Sequence, residues 1–363
     1  MAQRFLLESS YDLHNSRLTF HNNRPKPKNP KMSENSTHWI GFDLGGTKML
    51  AVVLDENFEV IGTCRKKTKG HEGMESGLNR INAVIEGALE NAGITPDQVG
   101  GLGIGCPGPL DLEKGMIREA PNLGWSKVPI RKSIHEKFGF DVAVGNDVDL
   151  GVYGEYMFGA AKKARCVVGV FPGTGIGGGC VMNGQLLTGA NCTAMEIGHI
   201  PVSAESGLDR PGVPATLESI ASRLAISGAA AQAVFRGQAP NLAEIAGTDL
   251  SNIRSAQLAK AIKQGDTVIA TIVETAAARL AMGVVTLIHL LAPDIVVLGG
   301  GLVEAMPDLY LKTVREEVDR LVLPSLKDIF KIVPAKLGDD AAVMGAAALA
   351  RSRFAPQLSA ITS

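Results

Sequence analysis

Two runs of β-branched and aliphatic residues, 39–42 and 49–54, are separated by a turn that holds Asp43, Gly45, Gly46, Thr47 and Lys48. Few structures accommodate that order. Glycines between two such runs read as a strand-turn-strand hairpin. Their backbone N–H groups can crowd around an anion, while Thr47 and Lys48 add a hydroxyl and a charge. Phosphate is the natural guest. A Walker A loop is excluded, because GxxxxGK[ST] is absent and a second strand, not a helix, follows. On local pattern alone, an ordinary tight turn in an antiparallel sheet stands beside the anion-binding reading.

The pattern returns. Strand-like residues 166–171, the loop GTGIGGG at 173–179 and strand-like residues 180–182 repeat strand, glycine turn, strand, as duplication of one α/β unit with a ligand between the halves would produce. GTGIGG satisfies GxGxxG, but a strand follows where a dinucleotide site demands a helix. A third glycine cluster, Gly299, Gly300 and Gly301, joins a buried strand at 295–298 to a helix at 302–320. That order suits a nucleotide lying across a helix N-terminus, or else a turn needed only for close packing.

The remaining pattern is that of an α/β protein. Further strands are expected at 58–63, 99–105, 142–145 and 329–333, and helices at 77–92, 130–138, 150–158, 217–234, 255–263, 266–291 and 341–350. Pro107, Gly108 and Pro109 enforce a rigid loop. The strand at 142–145 delivers Asn146 and Asp147 at its carboxyl end, where ligands gather in open α/β sheets.

A net charge of -1 over 363 residues gives no global electrostatic reason to bind nucleic acid or an anionic membrane. The longest apolar stretch, 280–298, is interrupted by His289, Pro293 and Asp294 and reads as a buried helix entering a core strand, so no membrane span is expected. Five cysteines, Cys64, Cys106, Cys166, Cys180 and Cys192, lie far apart without a CxxC pair, as expected of reduced thiols in a cytoplasm. Residues 1–37 carry six Lys/Arg against three Asp/Glu and a proline-lysine run, and are expected to form a flexible tail. Met32 is a candidate start of translation.

Seven short motifs occur in one order: DLGGTK at 43–48, GCPGPLD at 105–111, PNLGW at 121–125, GND at 145–147, GTGIGGG at 173–179, EIGH at 196–199 and LGGG at 298–301. In that order they resemble the sugar kinases of the actin-like ATPase superfamily, and more narrowly the ROK family (repressors, open reading frames, kinases), its glucokinase branch in particular. The resemblance spans residues 39–351. It implies two ribonuclease-H-like α/β domains with a cleft between them: a small domain at 38–149 joined by the C-terminal helix 341–353, and a large one at 150–340.

The resemblance also implies an activity, that of an ATP-dependent hexokinase, most simply a glucokinase, with fructose, mannose or N-acetylmannosamine as other acceptors and polyphosphate as another donor. Asp147 would be the catalytic base, unless it serves only as a helix N-cap. The hexose would lie against Asn122, Asn146, Asp147, Glu196, His199 and Glu218, with His199 either a sugar contact or a buried structural histidine. Asp43 would hold Mg²⁺ through water. Gly45, Gly46, Thr47, Thr174 and Gly175 would cradle the phosphates of ATP, with Gly299, Gly300 and Gly301 at the nucleotide. Lys48 would either join them or point away as a surface charge. A homodimer is in keeping with the family. The sugar-responsive repressors of the family add an N-terminal helix-turn-helix domain, for which residues 1–37 are too short and too proline-rich.

Two departures stand out. Met195 replaces the glycine usual before Glu196, which alters the pocket near that glutamate. Kinases of the family also carry CxCGxxGCxE after the EIGH histidine, as a closed zinc site. Here the window reads DRPGVPATLE, with Asp209, Pro211 and Thr216 at the cysteine positions. One histidine and one aspartate make poor zinc chemistry. Metal analysis of the purified protein is expected to find zinc well below one equivalent; stoichiometric zinc would overturn this reading.

Overall fold

The computed structural model describes residues 37–190, 193–206, 212 and 214–356. The expected tail, Asp209 and Pro211 lie outside them, as does Cys192.

Two five-stranded sheets repeat one topology. The first contains β1 (His38–Leu44), β2 (Lys48–Leu54), β3 (Val60–Lys67), β4 (Val99–Cys106) and β8 (Val142–Asn146), in the order β3-β2-β1-β4-β8. Between these strands lie α1 (Met74–Ala92), a small three-stranded sheet of β5 (Leu110–Asp111), β6 (Met116–Ala120) and β7 (Trp125–Val128), and α2 (Ile130–Phe138). After α3 (Asp147–Met157), the second sheet contains β9 (Cys166–Pro172), β10 (Ile176–Met182), β11 (Gln185–Leu186) and two later strands, β14 (Ile295–Leu298) and β15 (Lys331–Pro334), in the order β11-β10-β9-β14-β15. In both sheets a hairpin pairs the first two strands antiparallel, and two more strands then add in parallel beside the first. The repeat read from the glycine turns is therefore present in the strand order.

A pair of short strands, β12 (Pro201–Ser206) and β13 (Pro214–Thr216), leads into α4 (Leu217–Ala221), α5 (Arg223–Phe235), α6 (Pro240–Ala246), α7 (Ser255–Lys263) and α8 (Thr267–Leu291). Then come β14 (Ile295–Leu298), α9 (Gly301–Ala305), α10 (Pro307–Leu321), β15 (Lys331–Pro334) and α11 (Ala341–Phe354). Two helices expected as continuous are broken. Ser222 is extended between α4 and α5, where its hydroxyl caps α5 by accepting from Ala225 N at 3.3 Å. Pro307 occupies the first turn of α10 and ends α9 at Met306. The expected strand at 58–63 begins two residues later and runs to Lys67. The three-stranded sheet and α6 are additions that the sequence pattern did not announce.

Among the described residues α8 alone is long and apolar enough to cross a membrane, and half of its apolar window is buried. Ile269, Val273, Ala277, Leu280, Val284 and Ile288 are fully buried at helical spacing in the core of the second sheet. The expected helix entering a core strand is what forms.

Helices α3 and α11 pack against each other between the two sheets, with α11 also on β1 and β4 and α3 on β10. The contact is made backbone to backbone. A Cβ on Gly103 would sit 1.8 Å from the carbonyl oxygen of Ala346, one on Gly41 1.9 Å from that of Val343, and one on Gly345 1.8 Å from that of Leu150. Real Cβ atoms do not approach oxygen so closely, so α11 must shift if any of the three gains a side chain. Gly103→Ala is therefore expected to destabilise the fold by about 1–3 kcal/mol or more, through overpacking. Urea denaturation measures this, and an unchanged midpoint would show that α11 does not lie this close.

Candidate functional site

The carboxyl ends of β1, β4 and β8 lie side by side, with Asp43 paired to Gly105 and Gly105 to Gly145. Asn146 ends β8 and caps α3, its Oδ1 accepting from Val148 N at 2.9 Å and Asp149 N at 3.2 Å. Asp147 thus opens the helix as its first residue, and the N-cap role considered for it belongs to Asn146. A Cβ on Gly105 would lie 3.3 Å from the Asp147 Cα, so glycine there lets the first turn of α3 settle against β4.

Three carboxyl groups gather here. Burial, then the Asp147 charge, pushes Asp43 up to about 7. Burial likewise raises Asp149 to about 7, with Asp147 and Glu196 adding to it. Asp147 rises to about 6, chiefly by burial, and the backbone N–H groups of Val148 and of Asp147 itself oppose that rise. Only Asp147 has this backbone support, so it is the carboxyl best able to stay ionised near neutrality. The Cys106 thiol lies beneath them and is raised by burial and by the Asp147 and Asp43 charges.

Both hairpin tips are tied down. In the first, Thr68 is fully buried and donates from Oγ1 to Gly45 O at 2.6 Å and from its N–H to Thr47 O at 2.9 Å. The second turn is only Gly173 to Gly175, since β10 begins at Ile176. There Glu218 Oε2 accepts from Ile176 N at 2.8 Å, and Gly173 O accepts from Arg223 N at 2.9 Å. Thr47 and Thr174 line one groove of about 780 Å³ with Arg223, Arg254, Gly301 and Glu304. Its size suits a small-molecule site.

The other expected site residues are distributed as follows. Asn122 is exposed, and its Cβ lies 3.9 Å from a Cβ built on Gly46. Glu196 and His199 are exposed and 4.0 Å apart, which sets aside a buried structural role for His199. Glu218 is turned toward the second hairpin rather than lying open. Lys48 pairs its ammonium with Asp339, leaving it a partly exposed ion pair beside the first turn. Gly299 and Gly300 pack on Phe171 and Pro172, while Gly301 faces the groove. Thr216 caps α4 by accepting from Ser219 N at 3.3 Å. No cluster of three His, Cys, Asp or Glu side chains that could hold a metal occurs among the described residues.

Three residues that the motifs did not single out belong to this region. Arg223 and Arg254 line the groove, and Asp149 is buried with its Oδ1 lacking a hydrogen-bond partner among the described residues. The one local signal for Arg223 is its position after a serine able to cap a helix.

The model of the ROK family matches residues 39–353. The chain belongs to the ROK family. A glucokinase from Thermotoga maritima is 30% identical over 316 residues, covering 87% of this chain and 98% of that relative. A xylose repressor from Caldicellulosiruptor bescii is 28% identical over 85% of this chain and 77% of the repressor. Among solved structures, a ROK family glucokinase from Streptomyces griseus in complex with glucose and AMPPNP is 30% identical, with a TM-score of 0.74 over 87% of this chain and 99% of that one. The α/β class and the actin-like two-domain architecture expected from the motifs are those of this ROK fold. One departure from the family pattern now has a geometric meaning: Met195 holds a φ of 65°, the left-handed region that glycine enters at least cost.

The buried carboxyls predict a pH effect on stability. Burial holds the Asp149 carboxyl up at about 7 in the fold against an ordinary value of 3.8, so the folded chain binds more protons between those values. The stability it contributes is present below about pH 4 and is lost as pH rises toward 7. Asp149→Asn removes this titration. Its stability relative to the parent should therefore rise between pH 4 and 7, by on the order of 2 kcal/mol, in urea unfolding. A pH-independent difference would show that Asp149 does not titrate in this range.

Proposed function

We propose that the protein is an ATP-dependent hexokinase that phosphorylates glucose at O6, with Asp147 as general base. The observation that carries this reading is the adjacency of two half-buried carboxyls, Asp43 and Asp147, to glycine hairpins whose threonines share one groove. The ROK membership and the glucokinase relatives support it.

In this mechanism the sugar hydroxyl oxygen attacks the γ-phosphorus, its proton passes to an Asp147 carboxylate oxygen, and the β–γ bridging oxygen leaves with ADP. Asp147 suits the task because burial makes it a better proton acceptor than an exposed carboxylate, while the Val148 N–H keeps it largely ionised at neutral pH. Asn146 fixes the start of α3 and hence the direction of the carboxylate. Asn122, Glu196 and His199 are the polar groups proposed to hold the sugar, since amides and carboxylates match hydroxyls that donate and accept. The glycine turns present backbone N–H groups to the phosphates.

The Asp43 carboxyl fits a divalent cation held through water, because it faces a second acid and carries a raised pKa that a cation would relieve. When bound, Mg²⁺ supplies charge neutralisation on the phosphates. Fructose, mannose and N-acetylmannosamine are the alternative acceptors, and polyphosphate the alternative donor. The xylose repressor match favours a second reading, sugar binding without turnover; the segment where a DNA-binding domain would stand lies outside the described residues.

A coupled assay across these sugars and donors is expected to show ATP and glucose as the best pair. The acid limb of kcat/KM should have its midpoint near pH 6, where Asp147 takes up its proton. Asp147→Asn is expected to lower kcat by about 10²- to 10⁴-fold while retaining glucose binding. Absence of turnover with every hexose, together with retained sugar affinity, would sink the kinase reading and favour the second.

A further inference from the structure

The groove between the hairpin tips is lined by two guanidiniums, those of Arg223 and Arg254. Arg223 is the first residue of α5, and its Nη2 donates to the Thr174 hydroxyl at 2.8 Å while Nη1 reaches Ile253 O at 3.4 Å. Arg254, immediately before α7, donates from Nε to Ser251 O at 3.0 Å. Neither forms an ion pair among the described residues. Burial and the neighbouring Arg254 charge hold the Arg223 guanidinium below the usual arginine range. Like charges kept this close repel unless an anion lies between them.

The hydrogen-bond inventory points the same way. A guanidinium has five N–H donors, and among the described residues Arg223 directs two of them to protein acceptors. The Thr174 hydroxyl accepts from Arg223, so its own proton is left to donate elsewhere. Thr174 stands at the tip of the second glycine turn, beside the backbone N–H groups of that turn. Glu304 lines the same groove without an ion pair to either arginine among the described residues, and burial, then the Asp339 charge, raises its carboxyl above the usual glutamate range while Lys48 opposes the rise.

We propose that Arg223 is a donor-binding residue: with Arg254 and the Thr174 hydroxyl it grips the phosphate chain of the phosphoryl donor. This rests on the kinase reading above. Arginine suits the task because its planar fork can engage two phosphate oxygens at once. A nucleoside triphosphate and an inorganic polyphosphate share this chemistry.

The test is calorimetric binding of AMPPNP, tripolyphosphate and adenosine to the full chain, with Arg223→Ala, Arg223→Lys and Arg254→Ala beside the parent. Arg223→Ala should weaken AMPPNP and tripolyphosphate by about 10- to 100-fold, the loss expected for a charged hydrogen bond. Arg223→Lys should restore part of it. Adenosine affinity, the KM for sugar and the melting temperature should stay near parental values, and the parent should lose anion affinity more steeply with salt than Arg223→Ala.

Preference for AMPPNP over tripolyphosphate would identify a nucleotide donor, and the reverse an inorganic one; either upholds the role of Arg223. Parental anion affinity in Arg223→Ala would overturn it, as would an equal loss of adenosine, which marks a structural role. Should Arg223→Ala not fold, unchanged anion affinity in both Arg223→Lys and Arg254→Ala would overturn it too. Because binding is read without turnover, a chain inactive on every hexose would refute the kinase reading while the anion data still decide this one.

Discussion

The backbone contact of α11 with β1, β4 and α3 is the constraint on which the rest of the structure depends. Gly41 and Gly103 let the helix lie directly on the first sheet, and Gly345 lets α3 lie directly on the helix. That fixes α3 between two sheets. Its first turn then has one place to go, against Gly105 at the end of β4, with Asn146 capping it and Asp147 turned toward Asp43. A small-residue helix thus sets the position of a carboxylate two packing steps away. The same glycines explain why β4, with four of them in eight residues, forms a strand despite poor β propensity: tertiary packing wins over local preference.

Electrostatics carries the cost of that arrangement. Bringing Asp43, Asp147 and Asp149 together under protein raises all three, and a group whose charged form is disfavoured in the fold weakens the fold once the pH is high enough to ionise it. Nothing in the core requires carboxyls here, since apolar side chains would fill the space at no such cost. Their retention is understandable if one of them must accept a proton. The backbone decides which: Asp147 receives N–H support that Asp43 and Asp149 lack, so it ionises first and the other two hold protons longer.

Much of this was legible in the sequence, for reasons that can be traced. The two hairpins were, because glycine between β-branched runs leaves little choice, and so was the strand end that presents Asn146 and Asp147. The glycine run at 173–179 was misread as one loop. Only three residues turn, and Gly177, Gly178 and Gly179 belong to β10, where Val148, Ile197 and Asp149 leave no room for a Cβ. Sequence spacing shows a glycine but not what lies above it. The break at Ser222 was hidden inside continuous helical spacing, because a capping serine and a surface serine look alike until the backbone turns. Glu218 could be assigned to the sugar only by resemblance; its hydrogen bond to Ile176 N depends on an approach between distant segments that no local pattern encodes.

The two hairpins share a topology but not a charge. At the second pair from the turn, the first hairpin has Asp43 opposite Leu50, and the second has Phe171 opposite Gly177. Thr68, a neutral side chain, ties the first tip, whereas Glu218 and the Arg223 backbone tie the second. The Asp43 and Asp147 carboxyls therefore stand at the strand ends of the first sheet, and the groove's guanidiniums, Arg223 and Arg254, stand beside the second hairpin. For a reaction that moves a phosphoryl group toward a sugar oxygen, that asymmetry has a direction. Carboxylates belong where a proton must be accepted, and cationic donors where a polyanion must be held. A symmetric duplicate could hold a ligand between its halves but would give it no preferred end; divergence in charge while the backbone stayed the same supplies one.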